Sequence, residues 1–327
     1  MNSNKRLNLQ GRLINMSFLE DRRLMVKIAH MYYEQGLKQS EIANTIGVSR
    51  SLISKYLTKA KDLGIVEIII HEEDTHPFTG LESKLEKRYG LREVVCTHSN
   101  EGESSKPKLG TAASEYLLRM VRNGQTVGVS SGTTLFEVAK SMSSSQYFPD
   151  LQFVPLVGGM GDERVDIHAN QIVAKLADSL QARYKLLHAP VMVDSKEAKD
   201  VIADQSSIKS IFDMGRNADI AIVGIGGTPE HSTMVKSYLH QTSEDFEYKN
   251  IAGDICYNFI DENGKVASNA WNDKVIALDL EYLKQIPLVI GVASGKEKIK
   301  AIKAALKGHL IHVLITDDET AKGLLDW

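Results

Sequence analysis

The 327-residue chain predicts an α/β protein in two parts: a winged helix-turn-helix unit over residues 1–75 and a larger parallel-sheet α/β unit over residues 76–327. Three observations predict it. The length exceeds what one core of usual size fills. Helical periodicity dominates up to residue 63, whereas beyond residue 92 short apolar runs alternate with helix-length stretches. The charge is divided: of 39 Lys+Arg and 42 Asp+Glu, 11 and 5 fall in residues 1–64, leaving 28 and 37 behind them. A basic front on an acidic body suits a polyanionic partner for the front alone.

In chain order, Asp21–Gln35 reads as an amphipathic helix with Leu24, Ile28, Met31 and Tyr32 on one face and Gly36 as its stop. Gln39–Ile46 is a short helix closed by Gly47, and Ser49 caps a third that runs to about Leu63. Val66–Ile70 reads as the wing strand, and the polar stretch His71–Thr79, with Pro77, as the linker. Leu81–Tyr89 is a small helix. Strands follow at Val94–Cys96, Thr126–Val129, Phe153–Leu156, Ile220–Val223, Leu288–Val292 and Ile311–Ile315. The helices between and after them are Lys108–Val121, Thr133–Met142, Ile167–Arg183, Lys296–Leu306 and Asp318–Leu325. Asn263-Gly264 marks an inserted hairpin.

Composition excludes several classes. Two distant cysteines, Cys96 and Cys256, give neither a disulfide framework nor a zinc motif. The ten histidines show no metal-ligand spacing, so no metal or cofactor is expected. No apolar run reaches the ~18 residues of a membrane helix, and Met1–Arg23 lacks the apolar core of a signal peptide. A cytoplasmic location without membrane contact is the expectation.

The segment from Leu37 to Leu57 carries the strongest local signal. A helix-turn-helix needs a small residue where its helices cross, which Ala43 supplies, and a left-handed turn residue, which Gly47 supplies. Val48 and Ile53 fill the angle. Ser49, Arg50, Ser51, Ser54 and Lys55 then stand on the outer face of the third helix, facing duplex DNA. Arg50 and Ser51 are the candidates for base edges and Lys55 and Lys59 for phosphates. Gln39 and Ser40 open the preceding helix, whose amides suit a phosphate. An ordinary helical hairpin explains the apolar spacing, but not the small residue, turn glycine, serine cap and basic face together.

Three glycine-rich turns follow predicted strands, where parallel sheets place ligands. Gly128-Val-Ser-Ser-Gly-Thr-Thr134 is the best of them, because Ser130, Ser131, Gly132, Thr133 and Thr134 gather hydroxyls and amides at one helix start. Val157-Gly158-Gly159-Met-Gly161 and Gly224-Ile-Gly-Gly-Thr228 are, taken singly, ordinary tight connections. Gly291–Lys296 is one residue short of a Walker loop, and Glu297 follows it. Lys296 and Lys298 are candidates to reach the same pocket, or solvated lysines of a helix face. Asp254, His168 and Asn170 are candidates for sugar hydroxyls, although a lone histidine is more often a satisfied structural residue.

From about Arg22 to Leu325 the chain resembles the SorC family of sugar-responsive transcriptional regulators. The resemblance rests on Ala29-His-Met-Tyr-Tyr33, Ser49-Arg50, Gly132-Thr-Thr134, Val157-Gly-Gly159 and His168-Ala-Asn170. It continues through Lys298, Ala301-Ile302, Leu314-Ile-Thr-Asp-Asp318 and Leu324-Leu325. It implies the fold shared by ribose-5-phosphate isomerase and glucosamine-6-phosphate deaminase, and operator DNA bound by a homodimer or homotetramer under control of a phosphorylated sugar or polyol. Thr133, Thr134 and Lys298 would then clasp the phosphate and Asp254 the sugar, with Lys296 second choice. Some relatives carry arginine where this chain has Val157, a departure that favours a monophosphate. The rival reading is an active sugar-phosphate isomerase or deaminase with an attached DNA-binding unit. Such deaminases follow their Gly-Ile-Gly turn with an acid and then Gly-His, whereas Thr228-Pro229-Glu230-His231 stands here, so no catalytic residue is expected.

Overall fold

The computed structural model describes residues 22–68, 77–99, 104–159, 164–228 and 250–326. The chain divides into two compact units, Met1–His71 and Glu72–Trp327.

In the first unit, α1 (Arg22–Ala29) continues into a π-helical turn (His30–Glu34), followed by α2 (Gln39–Ile46) and α3 (Arg50–Asp62). The single amphipathic helix expected there therefore changes its winding midway: the Gln35 amide donates five residues back, to the His30 carbonyl, at 3.1 Å. Met25, Ile28, Met31, Ile42, Ala43, Ile53, Tyr56 and Leu57 form the core. Two short helices cannot hold themselves; packing onto α3 through this apolar cluster does so. Val66, Glu67 and Ile68 belong to no strand, and Ile69 and Ile70, the rest of the expected wing strand, lie outside the described residues.

The second unit begins with α4 (Thr79–Tyr89) and β1 (Glu93–Thr97), then α5 (Lys106–Met120), β2 (Thr126–Val129), α6 (Thr133–Ser141) and β3 (Gln152–Pro155). A 3-10 turn (Val165–Ile167) leads into α7 (Ala169–Leu180) and β4 (Arg183–Tyr184), then α8 (Lys196–Ala203), α9 (Ser206–Arg216) and β5 (Ile220–Gly226). A hairpin of β6 (Gly253–Ile255) and β7 (Asn258–Ile260) precedes α10 (Ala270–Lys274), α11 (Leu280–Leu283) and β8 (Leu288–Val292). Lys296–Lys298 form a 3-10 turn before α12 (Ile299–Lys307), β9 (Val313–Asp317) and α13 (Asp318–Leu325).

The main sheet is parallel, in the order β1-β9-β8-β5-β2-β3-β4. Strand alternation divides its side chains between two cores. Val127, Val129, Ile220, Ile222, Ile290, Val313 and Ile315 meet α5, α6 and α7 on one face. Ala221, Val223, Val289 and Leu314 meet Ile208, Phe212, Ile302 and Leu324 on the other. A strand buried on both faces reads as a continuous apolar run, which is why these strands were legible. Chain order reverses between β2 and β5, since β3 and β4 extend one side and β8 and β9 the other. The carboxyl ends of β2 and β5 thus open a crevice, the usual ligand position of such sheets.

Asn263-Gly264 is a turn, with Ile260 and Val266 bridged across it, but the β6–β7 connection is Cys256-Tyr257. Both residues are left-handed, at φ 51° and 59°, as a two-residue hairpin requires. Without glycine this costs about 1–3 kcal/mol each. The surroundings hold it: Asn258 donates to the Cys256 carbonyl (3.1 Å) and the buried Trp271 indole to that of Tyr257 (2.8 Å).

Candidate functional site

On the first unit the candidate DNA-reading residues come from one contiguous stretch. Gly47 adopts φ +78° and its amide closes α2 onto the Ala43 carbonyl, so the chain turns sharply into α3. Ser49 Oγ accepts from the Leu52 amide at 3.2 Å and lies 3.0 Å from Ser51 Oγ, satisfying one of the donors that open a helix. Ile53, Tyr56 and Leu57 face inward, while Ser49, Arg50, Ser51, Ser54 and Lys55 are exposed and Lys59 is half-buried. Ser40 is exposed and Gln39 half-buried at the start of α2, where the Glu41 carboxylate accepts from the Lys38 amide at 2.7 Å. The eight residues therefore share one unit, with their backbone fixed by helix caps, one of them the side chain of Ser49 itself.

On the second unit a cleft of about 300 Å³ opens at the β2/β5 crevice. It is lined by Ser130, Ser131, Gly132, Thr133 and Thr134 after β2, and by Gly224, Ile225 and Gly226 of β5. Asp254, Cys256 and Tyr257 of the hairpin, Ser294, Glu297 and Lys298 after β8, and Lys106 of α5 complete it. Gly132 starts α6 at φ 120°, and the amides that follow it have no carbonyl one turn back within the helix, so they suit an anion. Thr134 is buried beside them.

The loop after β2 is fastened on two sides. Ser130 Oγ accepts from the Gly224 amide at 3.2 Å, and the Ser131 hydroxyl donates to Tyr257 Oη at 3.0 Å. Burial pushes the Cys256 thiol and the Tyr257 phenol well above their ordinary values, so both stay neutral hydrogen-bonding groups. Burial likewise lowers the Lys298 ammonium, with Lys106 repelling it and Asp254 and Glu297 opposing the shift. A β-carbon at Gly226 would strike the Asp254 carboxylate, so only glycine leaves that acid room beside β5. The cleft thus offers hydroxyls, a helix start, two ammonium groups and carboxylates.

Several candidates lie elsewhere. Lys296 is 80% exposed and pairs with Glu319 at 3.2 Å, outside the lining. Asn170 uses both ends of its amide on Leu187, donating to its carbonyl (3.0 Å) and accepting from its amide (2.9 Å). His168 is buried at the start of α7, with its Nδ1 side towards Gly159 and its Nε2 without a hydrogen-bond partner among the described residues. Gly158 presses against the Pro190 backbone, which leaves no room for a side chain, and a β-carbon at Gly128 would meet the end of the Leu156 side chain. None of these five, nor Gly159, lines the cleft. Met160 and Gly161 of that turn, and Pro229, Glu230 and His231, lie outside the described residues.

Sequence reasoning missed Lys106, Cys256, Tyr257, Ser294 and Glu297. For Lys106 a signal existed: Ser105 and Pro107 mark a helix start two residues before Lys108. Among the described residues no cluster of His, Cys, Asp or Glu is suited to a metal, and no helix is long and apolar enough to cross a membrane.

Residues 75–326 match the family model described as "Putative sugar-binding domain". The chain is similar to the deoxyribonucleoside regulator of Bacillus subtilis, 31% identical over 313 residues that cover 94% of this chain and 98% of that one. It is equally similar to the sorbitol operon regulator of Klebsiella pneumoniae, 31% identical over 312 residues with the same coverage. The crystal structure of that full-length regulator, SorC, superposes with a TM-score of 0.72 and covers 94% of this chain and 100% of its own.

Proposed function

Because this chain belongs to the SorC family of sugar-binding transcriptional regulators, we propose that a phosphorylated sugar or polyol seated in the β2/β5 cleft controls its hold on operator DNA. The observation that carries the reading is the convergence of Thr133, Thr134, Lys298 and Asp254 on one cleft. These groups come from separate segments, and they place anion-binding donors beside a carboxylate able to accept from hydroxyls. A polyol phosphate has that polarity. The cleft volume, at the lower end of small-molecule sites, suits one small ligand. Val157 is buried and bridged to Ala277, so this chain brings no arginine there, which supports a monophosphate.

In this reading Arg50 and Ser51 read base edges, Lys55 and Lys59 hold phosphates, and Gln39, Ser40, Ser49 and Ser54 fix the register. A homodimer or homotetramer presents paired reader helices to paired half-sites, in the cytoplasm. The effector is bound rather than turned over, and the second unit takes the fold of ribose-5-phosphate isomerase and glucosamine-6-phosphate deaminase. The first unit is of the winged class, which requires strand pairing through Val66–Ile70.

A thermal-shift panel of phosphorylated sugars and polyols tests the reading. A true effector at a hundredfold excess over its Kd stabilises the native state by about 2.7 kcal/mol, and the unphosphorylated sugar does not. Equal shifts with and without the phosphate contradict it.

A further inference from the structure

We infer that Lys106, at the start of α5, is a second direct ligand of the effector's phosphate, closing with Lys298 and the start of α6 into a two-cation clamp. The inference rests on the cleft being the phosphate site and names a residue that the reading above leaves open.

The first support is placement. Lys106 lines the cleft together with Lys298, Thr133 and Thr134 although it belongs to a different helix from each of them. The second is the state of its charge. Lys296 and Lys322 have carboxylate partners, Glu319 and Asp318. Neither Lys106 nor Lys298 forms an ion pair with any carboxylate among the described residues. Lys298 is repelled by Lys106 and attracted by Asp254 and Glu297, which face the same cleft. Two ammonium groups held near each other in a partly enclosed space favour an anion between them.

The third support is rigidity. Ser105 donates to the Asp317 carboxylate at 3.0 Å and the Lys106 amide to Ser104 Oγ at 3.3 Å, which fixes where α5 begins. Further along, Gly110 lies so close to the Glu137 backbone that no β-carbon fits, and Thr111 Oγ reaches Ser141 Oγ at 3.5 Å. Helices α5 and α6 are therefore locked together. Lys106 and the Thr133–Thr134 amides form one prearranged wall, and Lys298, from the segment after β8, forms the other. A phosphate dianion spans both walls and relieves the repulsion between the two lysines. Asp254 and Glu297 add carboxylates that a second phosphate would have to face. The ligand class is thus a single phosphate monoester on a neutral, hydroxylated body.

Calorimetric titration of the full chain with inorganic phosphate at pH 7.5 tests this, using wild type, Lys106→Met, Lys106→Arg and Lys298→Met. The expected result is measurable binding by wild type, at least about tenfold weaker binding by either methionine variant, and most of the affinity restored in Lys106→Arg. A tenfold change is about 1.4 kcal/mol, in the range of a hydrogen bond to a charged group. Unliganded Lys106→Met should melt no lower than wild type, because it loses a repulsion. Wild-type affinity in Lys106→Met, with affinity lost in Lys298→Met, overturns this inference and leaves the phosphate reading standing. A lowered melting point in unliganded Lys106→Met makes the residue structural and overturns it as well. Absence of phosphate binding by wild type overturns both.

Discussion

The two units hold their candidate functional groups in opposite ways. On the first, Arg50, Ser51, Ser54 and Lys55 stand exposed on one helix, outside the cluster that holds the unit together. On the second, Ser130, Thr134 and Asp254 are buried, and Ser130 and Ser131 tie the loop after β2 to β5 and to the hairpin. Exposed groups on a capped helix are separable from stability, whereas buried and cross-linked groups are not. A reader therefore tolerates substitution of its contacts without unfolding, and a sensing cleft couples ligand contacts to the packing of the elements that carry them.

The largest expected effect breaks the first unit alone. Ile53→Ala empties a fully buried position and costs about 2–5 kcal/mol, so operator binding is lost while effector binding to the second unit persists; calorimetry beside a DNA-binding assay checks both. Thr134→Val keeps the shape of a buried side chain but removes its hydroxyl. Losing a hydrogen bond to a charged ligand costs about 1.5–3 kcal/mol, so effector affinity falls at least about tenfold with operator affinity unchanged. Arg50→Ala does the reverse: it costs about 1–3 kcal/mol of discrimination at one base position, measured by operator competition, without moving the melting point. Lys55→Ala weakens binding evenly across sequences and lowers the slope of log K against log salt by about 0.9.

The smallest effect sharpens the contrast through pH. His312 Nδ1 accepts from the Val289 amide at 3.0 Å, and burial, with Arg92 adding repulsion, lowers its pKa below the ordinary 6.5. The unfolded chain therefore binds the proton first as pH falls. This contribution to stability is complete above about pH 6.5 and is lost progressively below it. Melting points of wild type and His312→Gln should differ in slope only on that acid side.

The same contrast explains what was legible in the sequence. Helices α2 and α3 with their caps could be read because Ala43, Gly47, Ser49 and Ile53 act on neighbours a few residues away. Six strands of the main sheet could be read because they are apolar runs, as in Leu288–Val292, whereas β4, two exposed residues without such a run, was missed and Arg183 fell inside the helix expected over Ile167–Arg183. The Gly132-Thr-Thr134 loop was legible for the same local reason. The other cleft walls were not. Cys256-Tyr257 carries no turn signal, since its left-handed backbone is held by Asn258 and by Trp271, groups whose effect exists only after folding. Asn263-Gly264 advertised the hairpin while forming a neighbouring turn. Lysine spacing alone did not separate Lys296 from Lys298, because the direction each takes depends on the 3-10 turn they share and on Glu319. Asn170 looked like a sugar ligand until the Leu187 backbone proved to occupy both ends of its amide.

Control of the reader helix by a ligand in the β2/β5 cleft is addressed directly by a single measurement. Operator affinity of the full chain is measured across a panel of phosphorylated sugars, for wild type and for Thr134→Val in parallel. At least one ligand should change wild-type operator affinity by about fivefold or more, the usual span of allosteric coupling, and leave the variant's affinity unaltered. A ligand that shifts both proteins equally, or a panel in which tight binding never alters operator affinity, contradicts the account.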